Sequence, residues 1–313
     1  MKSINTKFLA LSGIIAAVTI ILFALGLFIP FLTIVTILGI PFAACLMELK
    51  TNIKYSLIYV ISTIIITSLI NFQESLFFVI PSLITGLVFG LFIKRKTHCL
   101  TYLLITSIIS MILQCLSVLL INVLYNVDFL ETLSIFFSVE LETINNIYLT
   151  LFFLIGIIQN ILVFFLLEKE LPKFNFNTKE DYSLYYPLLI ISSISSLLGF
   201  ILNNTIPCIA FLMTAISVFT ITNLIIYYLK SGSKWLIYAF LGVIIINFFV
   251  FVSLNNYLEN NGYYLLFNTI NLSICLIGVI LIIDVMLIRK EKISNDFFMK
   301  HTLFIEEEGE ENE

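Results

Sequence analysis

Hydrophobic runs separated by short polar breaks follow one another along the chain from Phe8 to Ile288. Each run is close to the ~20 apolar residues that a helix needs to cross the hydrocarbon core of a bilayer. Since lipid offers the backbone no hydrogen-bonding partner, such spans are expected to be α-helical. The pattern predicts an all-α, polytopic membrane protein with about ten transmembrane helices. The predicted spans are approximately Phe8–Ile29, Phe31–Glu48, Ile53–Ile70, Leu76–Ile93, Cys99–Tyr125, Ile147–Leu167, Leu184–Leu202, Ile206–Leu229, Trp235–Leu254 and Tyr263–Ile288.

The second predicted span is the least regular of these runs. Pro30 separates it from the first span, and Pro41 lies inside it. At ~1.5 Å of rise per residue the first two runs together are about twice as long as a bilayer core is thick, so one helix cannot hold both. Two interpretations stay open for residues 31–48: a full span and a re-entrant segment.

The distribution of cationic residues predicts the orientation of the chain. With the N-terminus inside, every Lys and Arg falls in an inner segment, as expected because cationic loops are poorly translocated. We therefore expect a cell-membrane protein with both termini in the cytoplasm. The inner segments carry Lys2 and Lys7; Lys50 and Lys54; Lys94, Arg95 and Lys96; Lys169, Lys173 and Lys179; Lys230 and Lys234; and Arg289, Lys290, Lys292 and Lys300, which together are all 16.

Composition supports this class and excludes others. The chain is 60% hydrophobic and 12% charged, whereas an average soluble domain is about a quarter charged. Its mean hydropathy is +1.09, so the lipid bilayer is its expected main partner. No basic patch interleaved with aromatic residues is present, which argues against nucleic-acid binding.

A polar stretch after the sixth span divides the chain. The sequence predicts a six-helix membrane unit over residues 1–168, a cytoplasmic linker over 169–183, a four-helix membrane unit over 184–290 and an acidic cytoplasmic tail over 291–313. Six glutamates make the end of this tail strongly acidic. We expect the tail to be disordered beyond a short helical continuation of the last span.

Residues that could carry catalysis or bind a metal are scattered. His98 and His301 are far apart, and the five cysteines show no spacing typical of a metal site. The motifs HExxH, GxxxxGK[ST] and GxSxG are missing. No Lys or Arg lies in the interior of a predicted span, and the nearest acidic residues, Glu48 and Asp284, lie within about a turn or two of an inner end. This argues against an ion pump. We predict that the protein is not an enzyme and needs neither a cofactor nor a metal.

Amides inside predicted spans are the main polar signal. An amide in hydrocarbon needs a hydrogen-bonding partner, so these side chains should face other helices or a polar cavity. The first interpretation is hydrogen bonding between helices. The second is a pocket for a small polar solute. The candidate substrate-binding residues are Gln114 and Asn122 on the fifth span and Gln159 and Asn160 on the sixth.

Small residues at steps of four form a second signal. Such spacing lays a small-residue stripe along one helix face, so another helix backbone can approach closely. The stripe could pack within this chain or form a docking face for a separate membrane subunit. The residues concerned are Ser12, Gly13, Ala16 and Ala17 on the first span and Ser82, Gly86 and Gly90 on the fourth.

Two of these segments resemble a transporter family. The segment Leu9–Ala17 resembles the opening helix of the S components of energy-coupling-factor vitamin transporters, and the run Pro81–Lys96 resembles their fourth helix. Across nearly the whole chain the sequence is more similar to the YybS-like family of bacterial multi-pass membrane proteins, which is itself distantly similar to S components. The resemblance implies an N-terminal six-helix S-component-like bundle followed by four further helices.

The resemblance also implies a function. S components capture a small solute and work with a transmembrane coupling subunit and ATPases, without an ATPase of their own. Here Ser12 and Ala16, or Gly13 and Ala17, match their docking pair, and solute would enter from the outer face near spans four to six. The alternative is a membrane scaffold or regulatory protein whose inner loops and acidic tail recruit a cytoplasmic partner. A lipid-handling enzyme or flippase is a third, weaker hypothesis.

Overall fold

The computed structural model is helical almost throughout the part of the chain that it describes. The described residues are 6–95, 99–170, 176–181, 185–203, 205–230, 238, 242–243, 245–246, 249, 263–283 and 300–305. The elements are α1 (Thr6–Phe28), α2 (Pro30–Lys50), α3 (Ile53–Ile70), α4 (Phe72–Glu74), a π-helical turn (Ser75–Val79), α5 (Ile80–Lys94), α6 (Cys99–Tyr125), α7 (Phe129–Phe137), α8 (Leu141–Glu170), β1 (Phe176–Asp181), α9 (Tyr185–Leu202), α10 (Pro207–Lys230), α11 (Tyr263–Ile283) and β2 (Lys300–Ile305).

Six helical segments in the described residues are long and apolar enough to cross a membrane. They run over Thr6–Phe28, Phe31–Lys50, Ile53–Ile70, Phe72–Lys94, Leu100–Tyr125 and Leu141–Lys169, and they confirm the helical character of the first six predicted spans. The helices α9, α10 and α11 coincide with the seventh, eighth and tenth predicted spans. Most of the ninth, Trp235–Leu254, lies outside the described residues, so the total of ten stays a prediction.

The second span forms one continuous helix through Pro41. With ~1.5 Å of rise per residue, its 21 residues reach about the thickness of the hydrocarbon core. A re-entrant segment would have to turn back within that length, so the structure favours the spanning interpretation. The extended backbone of Ile29 separates α1 from α2, and Pro30 occupies the first turn of α2, where no N–H is needed.

The exposed residues of α1 indicate that lipid, rather than water, surrounds this helix. Its buried positions include the small or hydroxyl residues Ser12, Thr19 and Gly26. Large apolar side chains lie outside, and Ile14 is 63% and Ile21 58% exposed. A helix in water would show the reverse pattern. Exposed apolar side chains recur on α3, α6 and α8, as expected for helices surrounded by lipid.

The chain divides into two compact units. The first contains residues 1–129, 152–179 and 302–313, and the second contains residues 130–151 and 180–301. In the first unit α2 packs against α1 and α5, and α1 also packs against α3. In the second unit α9 packs against α10 and α11. The predicted linker over 169–183 contains the boundary near residue 180, whereas residues 130–151 group with the second unit.

The core of the first unit holds α1, α2, α3 and α5 together. Ala16 and Phe23 of α1 pack with Met47 of α2 and Leu83 of α5 in one buried cluster. Burial of each such side chain stabilises the fold in water by about 1.5–3 kcal/mol, but lipid is as apolar as these side chains, so close packing and hydrogen bonds matter more here. Tyr59 of α3 accordingly shares a 2.9 Å hydrogen bond with the Thr19 hydroxyl.

Two short strands lie outside the helices. β1 falls in the predicted linker and β2 in the predicted tail, and they pair in a two-stranded sheet. This pairing differs from the expectation of a disordered tail, because Lys300–Ile305 has a backbone partner. The acidic end of the tail, residues 306–313, lies outside the described residues.

Candidate functional site

The two ends of the α1–α2 break are joined by hydroxyl groups. Thr33 donates a 3.0 Å hydrogen bond to the carbonyl oxygen of Gly26, and Thr36 donates to the carbonyl oxygen of Leu22, also at 3.0 Å. A Cβ on Gly26 would lie against Oγ1 of Thr36 and 3.3 Å from its Cβ. The absence of a side chain at Gly26 therefore lets α2 approach α1 closely enough for these bonds.

Pro41 leaves a backbone acceptor inside the membrane without its usual donor. In a regular helix the N–H of residue 41 would bind the carbonyl of Ile37, but proline has no N–H. Gln159 of α8 supplies the missing donor, because its Nε2 lies 2.8 Å from the Ile37 oxygen. The same nitrogen also donates to Oγ of Ser82 on α5, at 3.1 Å. One amide thus completes the hydrogen bonding of α2 and connects it to α5.

The small-residue stripe of α5 packs against α2. A Cβ on Gly86 would meet the Pro41 carbonyl oxygen and would lie 2.7 Å from the Pro41 Cα. A Cβ on Gly90 would lie 2.8 Å from Cβ of Glu48. Ser82, the first residue of the stripe, is buried as well. All three residues therefore lie in a helix contact within this chain.

A second proline produces a second irregularity at the start of α5. The residues Ser75–Val79 form a π-helical turn, in which Ile80 N–H binds the carbonyl of Ser75. The next acceptor in that register is the carbonyl of Leu76, but Pro81 has no N–H to give it. Ser117 of α6 donates to this oxygen at 2.7 Å. A side chain from a neighbouring helix again replaces the bond that a proline removes.

A cavity of about 320 Å³ lies where these irregular segments meet. Its residues come from the end of α1, the first half of α2, α4, the π-helical turn and the start of α5. It is thus close to the α1–α2 break and to the turn after α3. The lining residues are Phe23, Gly26, Leu27, Thr33, Thr36, Ile37, Ile40, Glu74, Phe78 and Ser82.

The lining is mostly apolar with a few polar groups. Thr33, Thr36 and Ser82 contribute hydroxyls, and Glu74 contributes a carboxylate. Glu74 is half-buried, and its backbone N–H is capped by the side-chain oxygen of Asn71 at 3.1 Å. An apolar wall with few oriented polar groups is typical of small-molecule sites.

The structure does not bring the four predicted amides together in this cavity. Gln159 lies behind the wall, bonded to two lining residues. Asn160 donates to Ser107 of α6 at 3.0 Å, and Asn122 accepts a 3.0 Å bond from the first N–H of α7 at Phe129. Gln114 is buried, and its Oε1 has no hydrogen-bond partner among the described residues.

Sequence reasoning missed Thr33, Thr36 and Glu74. Two threonines three residues apart just after a helix break, and one acidic residue in a predicted outer turn, were the available signals. The cavity also lies among the first, second and fourth spans, whereas the resemblance implied entry near spans four to six.

The two candidate docking pairs on α1 face different ways. Ser12 and Ala16 are buried, and Ala16 belongs to the core cluster. Gly13 and Ala17 are exposed, and a Cβ on Gly13 would meet nothing within 4 Å. Only the second pair leaves an open face on this chain.

An ion pair joins α2 to α5 far from the cavity. Lys94 Nζ lies 2.8 Å from Oε1 of Glu48, with side-chain exposures of 27% and 1%. Lys94 also donates to the carbonyl oxygen of Thr51. A buried carboxylate needs such a partner, so this pair is a structural connection between two helix ends. Within the described ranges, no group of three His, Cys, Asp or Glu residues could hold a metal ion.

Comparison with known proteins adds one finding. Residues 17–152 match the model of a family described as Predicted membrane protein (DUF2232). No curated protein and no solved structure matches the chain. The matched region contains every residue that lines the cavity. Together with the six long apolar helices, the match indicates that this chain is an integral membrane protein whose first half is similar to that family.

Proposed function

We propose that the protein binds a small solute in the membrane and acts as a non-catalytic uptake subunit similar to an S component. The cavity between α1, α2 and α5 carries this proposal. Its volume of about 320 Å³ is at the lower end of the ~300–1,000 Å³ that small-molecule sites occupy.

The position of the cavity supports capture from outside the cell. In the predicted orientation the α1–α2 break and the turn after α3 lie at the outer surface, and Lys50, Lys54 and Lys94 lie at the inner one. The cavity is next to both of these connections. A solute could therefore reach it without crossing the bilayer.

The open face of α1 supports a partner. Gly13 and Ala17 are exposed on a helix whose other small pair, Ser12 and Ala16, is already used for packing. A transmembrane coupling subunit could bring a helix backbone close to Gly13. The ATPases of such a system would act through that subunit, since this chain has no nucleotide-binding motif.

Blocking the cavity tests the proposal. The full chain in detergent is screened by thermal unfolding against a panel of small neutral, cationic and anionic solutes, and bound solutes are measured by calorimetry. Thr33→Phe places a ring in the cavity and should remove binding. Ile34→Phe adds the same ring at the neighbouring position, which is 62% exposed on the outside of the helix, and should leave binding unchanged. No binding by any solute, or equal binding to Thr33→Phe, contradicts the proposal.

A further inference from the structure

We infer that the cavity selects a small organic cation, such as a methylated ammonium group attached to a short apolar body. This inference rests on the proposed function and adds the class of solute. It follows from the hydrogen-bonding state of the groups that line the cavity, together with its one carboxylate.

The two threonines offer a solute acceptors and no donor. A hydroxyl has a single hydrogen. Thr33 gives its hydrogen to the Gly26 carbonyl, and Thr36 shares its hydrogen between the carbonyls of Leu22 and Leu32, each at 3.0 Å. What each oxygen can still offer to a solute is a lone pair.

Among the hydroxyls of the described lining residues, that of Ser82 is the one that can still donate. Its oxygen accepts from Nε2 of Gln159 at 3.1 Å, so its own hydrogen stays available. Gln159 has no further hydrogen to donate to the cavity, because Ile37 and Ser82 take both hydrogens of its Nε2. The polar lining therefore consists mainly of acceptors.

Glu74 determines which charge of solute the cavity prefers. It is the single ionisable residue among the described residues that line the cavity. An anion would meet this carboxylate and the threonine lone pairs with the Ser82 hydroxyl as its one compensating donor among the described lining side chains. Burying a poorly paired charge is costly. A cation would pair with Glu74 instead. Since a charge-assisted contact strengthens where water is excluded, this preference should be large.

The apolar part of the lining fits a methylated cation. Phe23 is buried and Phe78 is half-buried in the same wall. Aromatic faces attract ammonium groups, most strongly when water is excluded. Leu27, Ile37 and Ile40 complete the wall and can contact an alkyl body. A bare metal cation would leave these surfaces unused.

Three solutes of nearly the same shape test the inference. Choline is positively charged, 3,3-dimethylbutan-1-ol replaces its nitrogen by carbon and is neutral, and 3,3-dimethylbutanoate is an anion. Calorimetry on the full chain in detergent should show choline binding at least roughly tenfold more tightly than the alcohol, with no binding of the anion.

The variant Glu74→Gln keeps the size of the side chain and removes its charge. It should abolish the preference for choline and leave binding of the neutral alcohol within a few-fold of the unchanged chain. Glu142→Gln, on the exposed start of α8, is the matched control and should preserve the preference.

The outcomes separate the two claims. If the alcohol binds as well as choline, or if Glu74→Gln keeps the preference, the inference of a cation fails while solute binding stands. If none of the three binds, and the wider panel also gives no binding, the proposed function fails with it. Retained binding of the alcohol by Glu74→Gln shows that this variant is folded.

Discussion

The two units of this chain treat their buried polar groups differently. In the first unit, Pro41 and Pro81 interrupt helix hydrogen bonding, and Gln159 and Ser117 from neighbouring helices complete it. In the second unit buried polar residues of α9, α10 and α11 are hydrogen-bonded to one another in one contact. Asn271 Nδ2 donates to Thr214 Oγ1 at 2.7 Å, and the backbone carbonyl oxygen of Asn271 accepts from Ser196 Oγ at 2.7 Å.

This difference explains where a cavity can form. In the second unit a Cβ on Gly199 would lie 2.9 Å from both Thr214 Oγ1 and Asn271 Nδ2, so the polar contact is closed and tightly packed. In the first unit a cavity remains between α1, α2 and α5 beside the helix break, and the hydroxyls of Thr33 and Thr36 line it with free lone pairs. A polar group in a closed contact can contribute only to packing, even where, like Asn271 Oδ1, it has no partner among the described residues. A polar group that lines a cavity can bind a solute.

The largest expected effect comes from filling the α2–α5 contact. Gly86→Ala places a methyl group against the backbone of Pro41, 2.7 Å from its Cα. Because the obstacle is backbone, it cannot rotate away, and we expect a loss of about 3 kcal/mol in the free energy of unfolding. Thermal unfolding in detergent and the yield of membrane-inserted protein measure this loss.

Gly13→Ala is the matched control for this change. It adds the same methyl group on another span, where a Cβ meets nothing within 4 Å. Alanine is also the better helix former, by about 1 kcal/mol in soluble helices. We expect unchanged or slightly higher stability. Equal losses in both variants would show that the packing of Gly86 is not what limits the first unit.

The helices could be predicted from sequence, whereas the cavity could not. Apolar runs of bilayer length fix where helices form, regardless of what they contact, so α2 and α5 fall close to the predicted spans. The spacing of Ser82, Gly86 and Gly90 likewise indicates one helix face. The cavity depends on how Gly26, Thr33 and Glu74 meet across a helix break, and hydrophobic periodicity carries no information about that geometry.

Gln159 illustrates which features of a contact the sequence predicts and which it does not. Its place in a span predicts that the amide needs a partner, and Pro41 predicts that the Ile37 carbonyl needs a donor. Both statements follow from the sequence alone. The sequence does not show that the Gln159 amide is the donor for the Ile37 carbonyl. That pairing depends on α8 packing next to α2 at residues that are 122 positions apart in the chain.

A double-mutant cycle tests the role of Gln159 in the broken helix. Gln159→Leu keeps the volume and removes the donor to Ile37, so we expect a loss of about 2 kcal/mol in the free energy of unfolding. Pro41→Ala restores a backbone N–H to Ile37. In that background Gln159→Leu should cost less than half as much, as thermal unfolding of the four proteins would show.

An additive cycle would contradict this account, since it would mean that Gln159 stabilises the protein through Ser82 or packing alone. Asn160→Leu is the control at the next position. Asn160 bonds Ser107 and not α2, so its cost should be the same with Pro41 as with alanine there.

The smallest and most discriminating effect comes from the same substitution made in each unit. Thr214→Val leaves Asn271 Nδ2 without its acceptor in a closed contact, which should cost about 1 kcal/mol of stability and leave solute binding unchanged.

Thr33→Val removes a hydroxyl whose acceptor, the Gly26 carbonyl, lies at the edge of the cavity. Here stability should change less, because the half-buried site can admit water, and the affinity for a bound solute should fall several-fold. Calorimetry and thermal unfolding on both variants measure the two quantities side by side. If both variants lose stability and neither loses affinity for the solute, the hydroxyls of the first unit contribute to packing as those of the second do. The distinction between the two units then disappears.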